Sequence, residues 1–289
     1  MFEGMYTALV TPFAQDGSVD YGALDRLVDA QIEGGVDGIV PVGTTGESPT
    51  LDPEEHMAVI EHVVQRADGK AKVIAGTGAN STAEALELTR RAIDLGVDGT
   101  LQVTPYYNKP SQAGLIRHFT AIADLGTPVV LYNVPGRTGR EIAVPTVAEL
   151  SKHPQITAQK DAGGSVDRVS EIVRECEIEV LSGDDALALP MMAVGGVGVI
   201  SVAANLIPGP MTEMIRAALE GDFETALALH LRYHRLFSHM FLNSNPIPVK
   251  AALAMMGWIE EVYRLPLCEI DAENRRVLEA TMREVDLVH

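Results

Sequence analysis

Cysteine is scarce: Cys176 and Cys268 are the only two in 289 residues. That is too few for a disulfide framework, and no CxxC pair offers zinc or redox chemistry, so a reducing cytoplasm is expected. Basic residues are also thin, 22 Lys plus Arg against 40 Asp plus Glu, for a formal charge of −18. Nonspecific attraction to nucleic acid or to a membrane surface is disfavoured, and a small-molecule partner is favoured. The opening MFEGMYTALVTPF lacks a basic region, the first cation being Arg26, so no secretory signal is expected. The only long charge-free run, Ala186 to Met211, is broken by Pro190, Gly195, Gly196, Gly198, Asn205, Pro208 and Pro210. Its VGVISV core is β-branched, so it reads as helix end, turn and buried strand, and no membrane span is expected. Fixed-period repeats, low-complexity tracts and linker-like charge blocks are absent as well.

What is present suits one large fold. Hydrophobic residues are 46% and charged residues 21% of the chain, near the globular average, and the length suits a (β/α)8 barrel of roughly 250 residues with an appendage. Apolar β-branched runs alternate with amphipathic segments of helix length, the pattern of βα units around a parallel sheet. The predicted strands are Tyr6–Thr11, Gly38–Val42, Lys72–Gly76, Gly99–Thr104, Pro128–Asn133, Ile156–Lys160, Glu179–Ser182 and Gly198–Val202. Helix ends support the count: Asp52, Pro53 and Glu55 have capping-box spacing, Ser81 with Glu84 repeats it, and Tyr21–Ile32 stops at Gly34 and Gly35. After the eighth strand Pro208–Glu220, Phe223–Phe241, Ile247–Met256 and Ala272–Val288 all read as helices. The expected class is α/β, a (β/α)8 TIM barrel over residues 1–221 with a C-terminal helical region over 222–289.

Functional groups of a parallel barrel sit where its strands end. Strand two delivers Gly43-Thr44-Thr45-Gly46-Glu47, strand four Thr104-Pro105-Tyr106-Tyr107-Asn108, strand five Tyr132 to Gly139, and strand six Lys160-Asp161. Lys160 would place an amine at an apolar mouth, where desolvation lowers its pKa. A neutral amine adds to a ketone to give an imine and then an enamine; the alternative is an idle lysine paired with Asp161 or another carboxylate. The glycines and hydroxyls of GTTGE suit a small carboxylate, though the order matches neither a Walker loop nor GxGxxG, and ordinary loops share the composition. Tyr107 and Tyr132 could pass protons through Thr44, or simply pack at the rim. Arg137, after Pro135-Gly136, could grip a second carboxylate or lie idle on the surface. His230 and His234 have the spacing of paired metal ligands, with His239 nearby, but no HExxH glutamate lies between them, so no metal is expected.

Taken together, GTTGES at 43–48, AGTGAN at 75–80, TPYYNKPS at 104–111, YNVPGRTG at 132–139, KDAGG at 160–164, LSGDDA at 181–186 and NPIPVK at 245–250 resemble the dihydrodipicolinate synthase (4-hydroxy-tetrahydrodipicolinate synthase) family. The likeness runs in order over almost the whole chain. It implies a lyase of class I aldolase type, without metal or cofactor, that condenses pyruvate with L-aspartate 4-semialdehyde in the first committed step toward diaminopimelate and lysine. By motif match, Lys160 is the imine-forming lysine, and Thr45 with Thr44 cradles the pyruvate carboxylate. Tyr132, Thr44 and Tyr107 form the proton relay, with Tyr107 arriving from a neighbouring subunit of a homotetramer, a dimer of dimers. Arg137 clamps the semialdehyde carboxylate, and Gly183 and Ile200 line the same mouth.

The resemblance also implies a lysine-inhibitor site at Ser48, His56, Asn80, Glu84 and Tyr106. Pro49 and Pro53 depart from it, standing where a small residue and a pocket histidine are expected, and weak or moderate lysine inhibition follows. Related pyruvate aldolases, among them N-acetylneuraminate lyases and keto-deoxy sugar acid aldolases, share the barrel and the lysine; Arg137 within YNVPGRTG follows the synthase pattern. A noncatalytic keto-acid-binding relative is the reading from another class, opposed by the joint presence of Lys160, Tyr132, Thr44, Tyr107 and Arg137.

Overall fold

The computed structural model describes residues 1–289 and closes eight parallel strands into a barrel in chain order. The strands are β1 Gly4–Ala8, β2 Gly38–Val40, β3 Lys72–Gly76, β4 Gly99–Val103, β5 Val129–Asn133, β6 Ile156–Asp161, β7 Glu179–Ser182 and β8 Gly198–Ser201. Only β1 is clearly displaced from its predicted place. It starts early because Gly4 pairs with Gly198 across the closing seam, and a Cβ on Gly198 would lie 1.9 Å from the Gly4 carbonyl oxygen. Its ladder stops early because the chain leaves the sheet after Leu9 donates its N–H to the Val40 carbonyl.

Strand residues alternate between two environments, as a period of two requires. Tyr6, Val40, Ile74, Val130, Leu181 and Ile200 fill the interior. Val129 and Leu131 face outward and pack with Phe119, Val169 and Ile172 of the surrounding helices.

The helices are α1 Tyr21–Glu33, α2 Pro53–Ala67, α3 Thr82–Asp94, α4 Gln112–Ala123, α5 Pro135–Thr138, α6 Val144–Leu150, α7 Val166–Glu175, α8 Ala188–Met192, α9 Pro208–Leu219, α10 Phe223–His239, α11 Ile247–Met255 and α12 Ala272–Glu284. Asp52 caps α2 with a complete capping box closed by Glu55. The second expected box is only half made. Ser81 accepts the Glu84 N–H at 3.5 Å, while the Glu84 side chain turns to a cavity. The C-terminal helix ends short of Val288 because Asp286 adopts a left-handed φ of 61°.

The charge-free run resolves into a 3-10 turn at Asp185–Leu187, then α8, β8 and a second turn at Ala203–Asn205. No helix is long and apolar enough to cross a membrane. The helices after β8 share one apolar cluster with the barrel, in which Leu236, Phe237, Leu278 and Met282 join Leu9, Leu24 and Val199. That packing brings the segment before α11 up to the barrel mouth.

Candidate active site

Lys160 points into the barrel, because alternation along β6 sends Gln159 and Asp161 the other way. It is 5% exposed, and its Nζ lies 4.5 Å from the centre of the Tyr132 ring. Burial lowers its pKa to about 8; Asp185 opposes that shift and Arg137 adds to it. An idle pairing with Asp161 is ruled out by where Asp161 faces. The Asp161 carboxylate accepts from Arg168 Nε at 2.9 Å, Gln159 Nε2 at 2.7 Å, Asn133 Nδ2 at 3.1 Å and the Gly163 N–H at 2.9 Å. Gln159, beside Lys160 in sequence, therefore serves the outer face. Gly183 flanks the lysine stem, and a Cβ there would sit 2.9 Å from Lys160 Cε.

Across the ladder from Lys160 stands Tyr132. Burial raises its phenol pKa, against Arg137 and a hydrogen bond with the Thr44 hydroxyl, which both lower it. Thr44 belongs to a tight turn in which the Gly46 N–H reaches the Gly43 carbonyl and the Glu47 N–H reaches the Thr44 carbonyl. Gly46 is required there, since a Cβ would lie 2.9 Å from the Val42 nitrogen. Thr45 is buried, and its Oγ1 accepts from Asn245 Nδ2 at 2.9 Å, which leaves the Thr45 hydroxyl hydrogen free to donate. The Asn245 carbonyl accepts from Arg137 Nη2 at 3.0 Å, so one residue steadies both candidate carboxylate binders. Arg137 itself sits on the one-turn α5, exposed at the mouth.

Two further groups carry weight that the sequence did not assign. Glu47, at a left-handed φ of 54°, pairs with Lys250 in a wholly buried ion pair, with Lys250 Nζ 4.2 Å from the Phe13 ring centre. Asp185 is buried, and its Oδ2 accepts the N–H groups of Val202 at 3.2 Å and Ala203 at 2.9 Å. Burial raises its pKa to about 6. The available signal was polar residues inside apolar segments, NPIPVK and LSGDDA.

Tyr107 is not brought to this cluster: it is 91% exposed with a left-handed φ of 69°. Ile200 lies in the barrel interior on β8. A cavity of about 400 Å³ joins Thr44, Arg137 and Thr138 to Ser48, Pro49, Pro53, His56, Glu84 and Tyr106. His56 Nε2 donates to the Gly76 carbonyl at 2.8 Å, and burial lowers its pKa. Asn80 stands behind Tyr106 and donates to its carbonyl at 3.2 Å. His230 packs on His234 and Phe237, while His239 is bonded to Thr281. No group of three or more His, Cys, Asp or Glu side chains is arranged to hold a metal ion.

Known proteins resemble this chain along its whole length. A 4-hydroxy-tetrahydrodipicolinate synthase of Pelobacter propionicus is 53% identical over 291 aligned residues, covering 100% of both chains. A crystal structure of dihydrodipicolinate synthase from Aquifex aeolicus superposes with a TM-score of 0.97 at 49% identity, covering 99% of each chain. A chloride-inhibited Acinetobacter baumannii dihydrodipicolinate synthase complexed with pyruvate gives 0.98 at 44% identity over 100% of both. The Cyanidioschyzon merolae enzyme with lysine bound gives 0.96 at 43% identity over 99% of both. With residues 1–285 also matching the family profile, an inward lysine facing a tyrosine at a barrel mouth has a family context: the chain belongs to the dihydrodipicolinate synthetase family.

Proposed function

We propose that the protein condenses pyruvate with L-aspartate 4-semialdehyde through an imine on Lys160, acting as a lyase of lysine and diaminopimelate biosynthesis. The observation that carries this reading is a buried lysine with no carboxylate bonded to it and a pKa lowered to about 8. Neutral Lys160 adds to the pyruvate ketone, water leaves, and the resulting iminium acidifies the methyl group, which loses a proton to give an enamine. The enamine carbon attacks the aldehyde. The amine of the semialdehyde then displaces Lys160 and closes the ring, regenerating the free side chain.

In this reading Thr45, with Thr44, donates to the pyruvate carboxylate, and Tyr132 and Thr44 shuttle protons. Arg137 binds the semialdehyde carboxylate, while Gly183 and Ile200 shape the wall. Tyr107 completes the relay from a neighbouring subunit, which the exposure of that side chain in a single chain supports. A homotetramer in the cytoplasm is part of the same proposal. Reaction with pyruvate and borohydride tests it. A stable mass increase on Lys160 is expected, together with activity on aspartate semialdehyde and none on N-acetylneuraminate; an unchanged mass rejects the imine.

The arm of the cavity lined by Ser48, His56, Glu84 and Tyr106, with Asn80 behind it, is proposed to take lysine as an inhibitor. Glu84 suits the ligand's ammonium group, since its carboxylate is not spent on a capping box. Pro49 and Pro53 line the same arm without supplying a side-chain donor, so inhibition is weak or moderate. A flat rate through millimolar lysine rejects it.

A further inference from the structure

Tyr132 and Lys160 sit opposite each other on β5 and β6, and their outward neighbours Asn133 and Asp161 form the next pair of the ladder. Lower down, the register of these two strands shifts between Val129 and Val130. Because a one-residue slip turns an inward side chain outward, something above the shift must set the register. The candidates are all buried on the outer face. Asp161 gathers Arg168, Gln159, Asn133 and the Gly163 N–H. Arg168, placed by its N–H bond to the Ser165 cap at 3.1 Å, also donates through Nη2 to the Ile142 carbonyl. Asn133 Oδ1 accepts the Ile142 N–H at 3.0 Å. The backbone joins in, with the Ala162 N–H on the Asn133 carbonyl and the Gly183 N–H on the Asp161 carbonyl.

We propose that Asn133, Asp161 and Arg168 are positioning residues, a clamp on the outer face of the barrel that holds Lys160 and Tyr132 in register on the inner face. An apolar trio could fill the same space, and replacing a buried ion pair by apolar groups is often neutral for stability. What the polar trio adds is direction. Its bonds fix the height of one strand end against the other and of both against the segment that follows Arg137. The clamp touches no substrate, so it acts through the distance over which protons pass between the lysine adduct and the phenol, where a misplacement of about 1 Å can cost roughly 100-fold in rate.

The inference rests on the roles proposed for Lys160 and Tyr132, and the test separates the two. Wild-type protein is first treated with pyruvate and borohydride; no mass increase sinks the imine reading itself. Asp161→Asn combined with Arg168→Met removes both charges and keeps an acceptor for the neighbouring amides. This variant should melt within a few degrees of wild type and still trap pyruvate on Lys160. Its pyruvate KM should stay within about threefold, and its kcat should fall about 10- to 100-fold. Arg168→Lys keeps the charge but cannot serve both Asp161 and Ile142, so its kcat should fall in between; it decides the matter alone if the double variant does not fold. Wild-type kcat in Arg168→Lys or in the folded double variant overturns the clamp. Parallel loss of trapping and turnover overturns it too, since that marks a collapsed site.

Discussion

At the residue scale, the chemistry turns on how water-free surroundings change one amine. Burial takes the Lys160 pKa down to about 8, so the reactive neutral form grows as pH rises toward that value. On that basis kcat/KM for pyruvate should climb about tenfold per pH unit below pH 8 and flatten above it, as measured by initial rates across buffers of constant ionic strength. Tyr132→Phe should keep the imine and lower kcat on the order of 100-fold, a split read by comparing borohydride trapping with turnover. Asn245 makes a sharper test of the carboxylate cradle. Replacing it with Leu removes the donor that orients Thr45 and should raise the pyruvate KM several-fold, since a net hydrogen bond is worth about 1 kcal/mol. The placing of Lys160, Tyr132 and Thr44 at the mouth was legible in the chain because each lies next to the end of a strand or in the turn after it. Asn245 was not: its partner Thr45 lies 200 positions away, and no local pattern announces such a bond.

At the element scale, the turn after β2 is held from outside the barrel. Glu47 and Lys250 are both fully buried, and removing one partner of such a pair leaves a charge without compensation. Lys250→Met should therefore cost about 3–5 kcal/mol in chemical denaturation, with much of it recovered by adding Glu47→Gln. The strands and most helix ends were legible because alternation, capping residues and terminal glycines are local. Two of the misreadings share one physical cause. The start of β1 is set by glycine contact across the seam with β8, and the Glu84 carboxylate is drawn to a cavity, so both obey neighbours that are remote in sequence. The Gln159–Asp161–Arg168 network likewise needs the fold before it has meaning.

At the scale of the whole molecule, the most exposed large hydrophobic side chain is one proposed for the proton relay. Tyr107 is 91% exposed and held in a left-handed conformation, an arrangement that suits a group meant for another subunit. Mixing Tyr107→Phe chains with Lys160→Ala chains, each nearly inactive, should restore part of the activity as hybrid assemblies form; assays after subunit exchange that show no recovery would reject the shared relay. The sequence spoke clearly about barrel and chemistry and said less about assembly, because a surface waiting for a partner looks, residue by residue, like any other surface. The late position of Asn245 and Lys250 bears on how the enzyme comes into being. During synthesis the turn bearing Thr44 and Thr45 leaves the ribosome first, and its two distant fasteners emerge about 200 residues later. A nascent chain stopped before them would hold the nucleophile without a settled seat for its first substrate, so competence should switch on late and abruptly instead of growing with length.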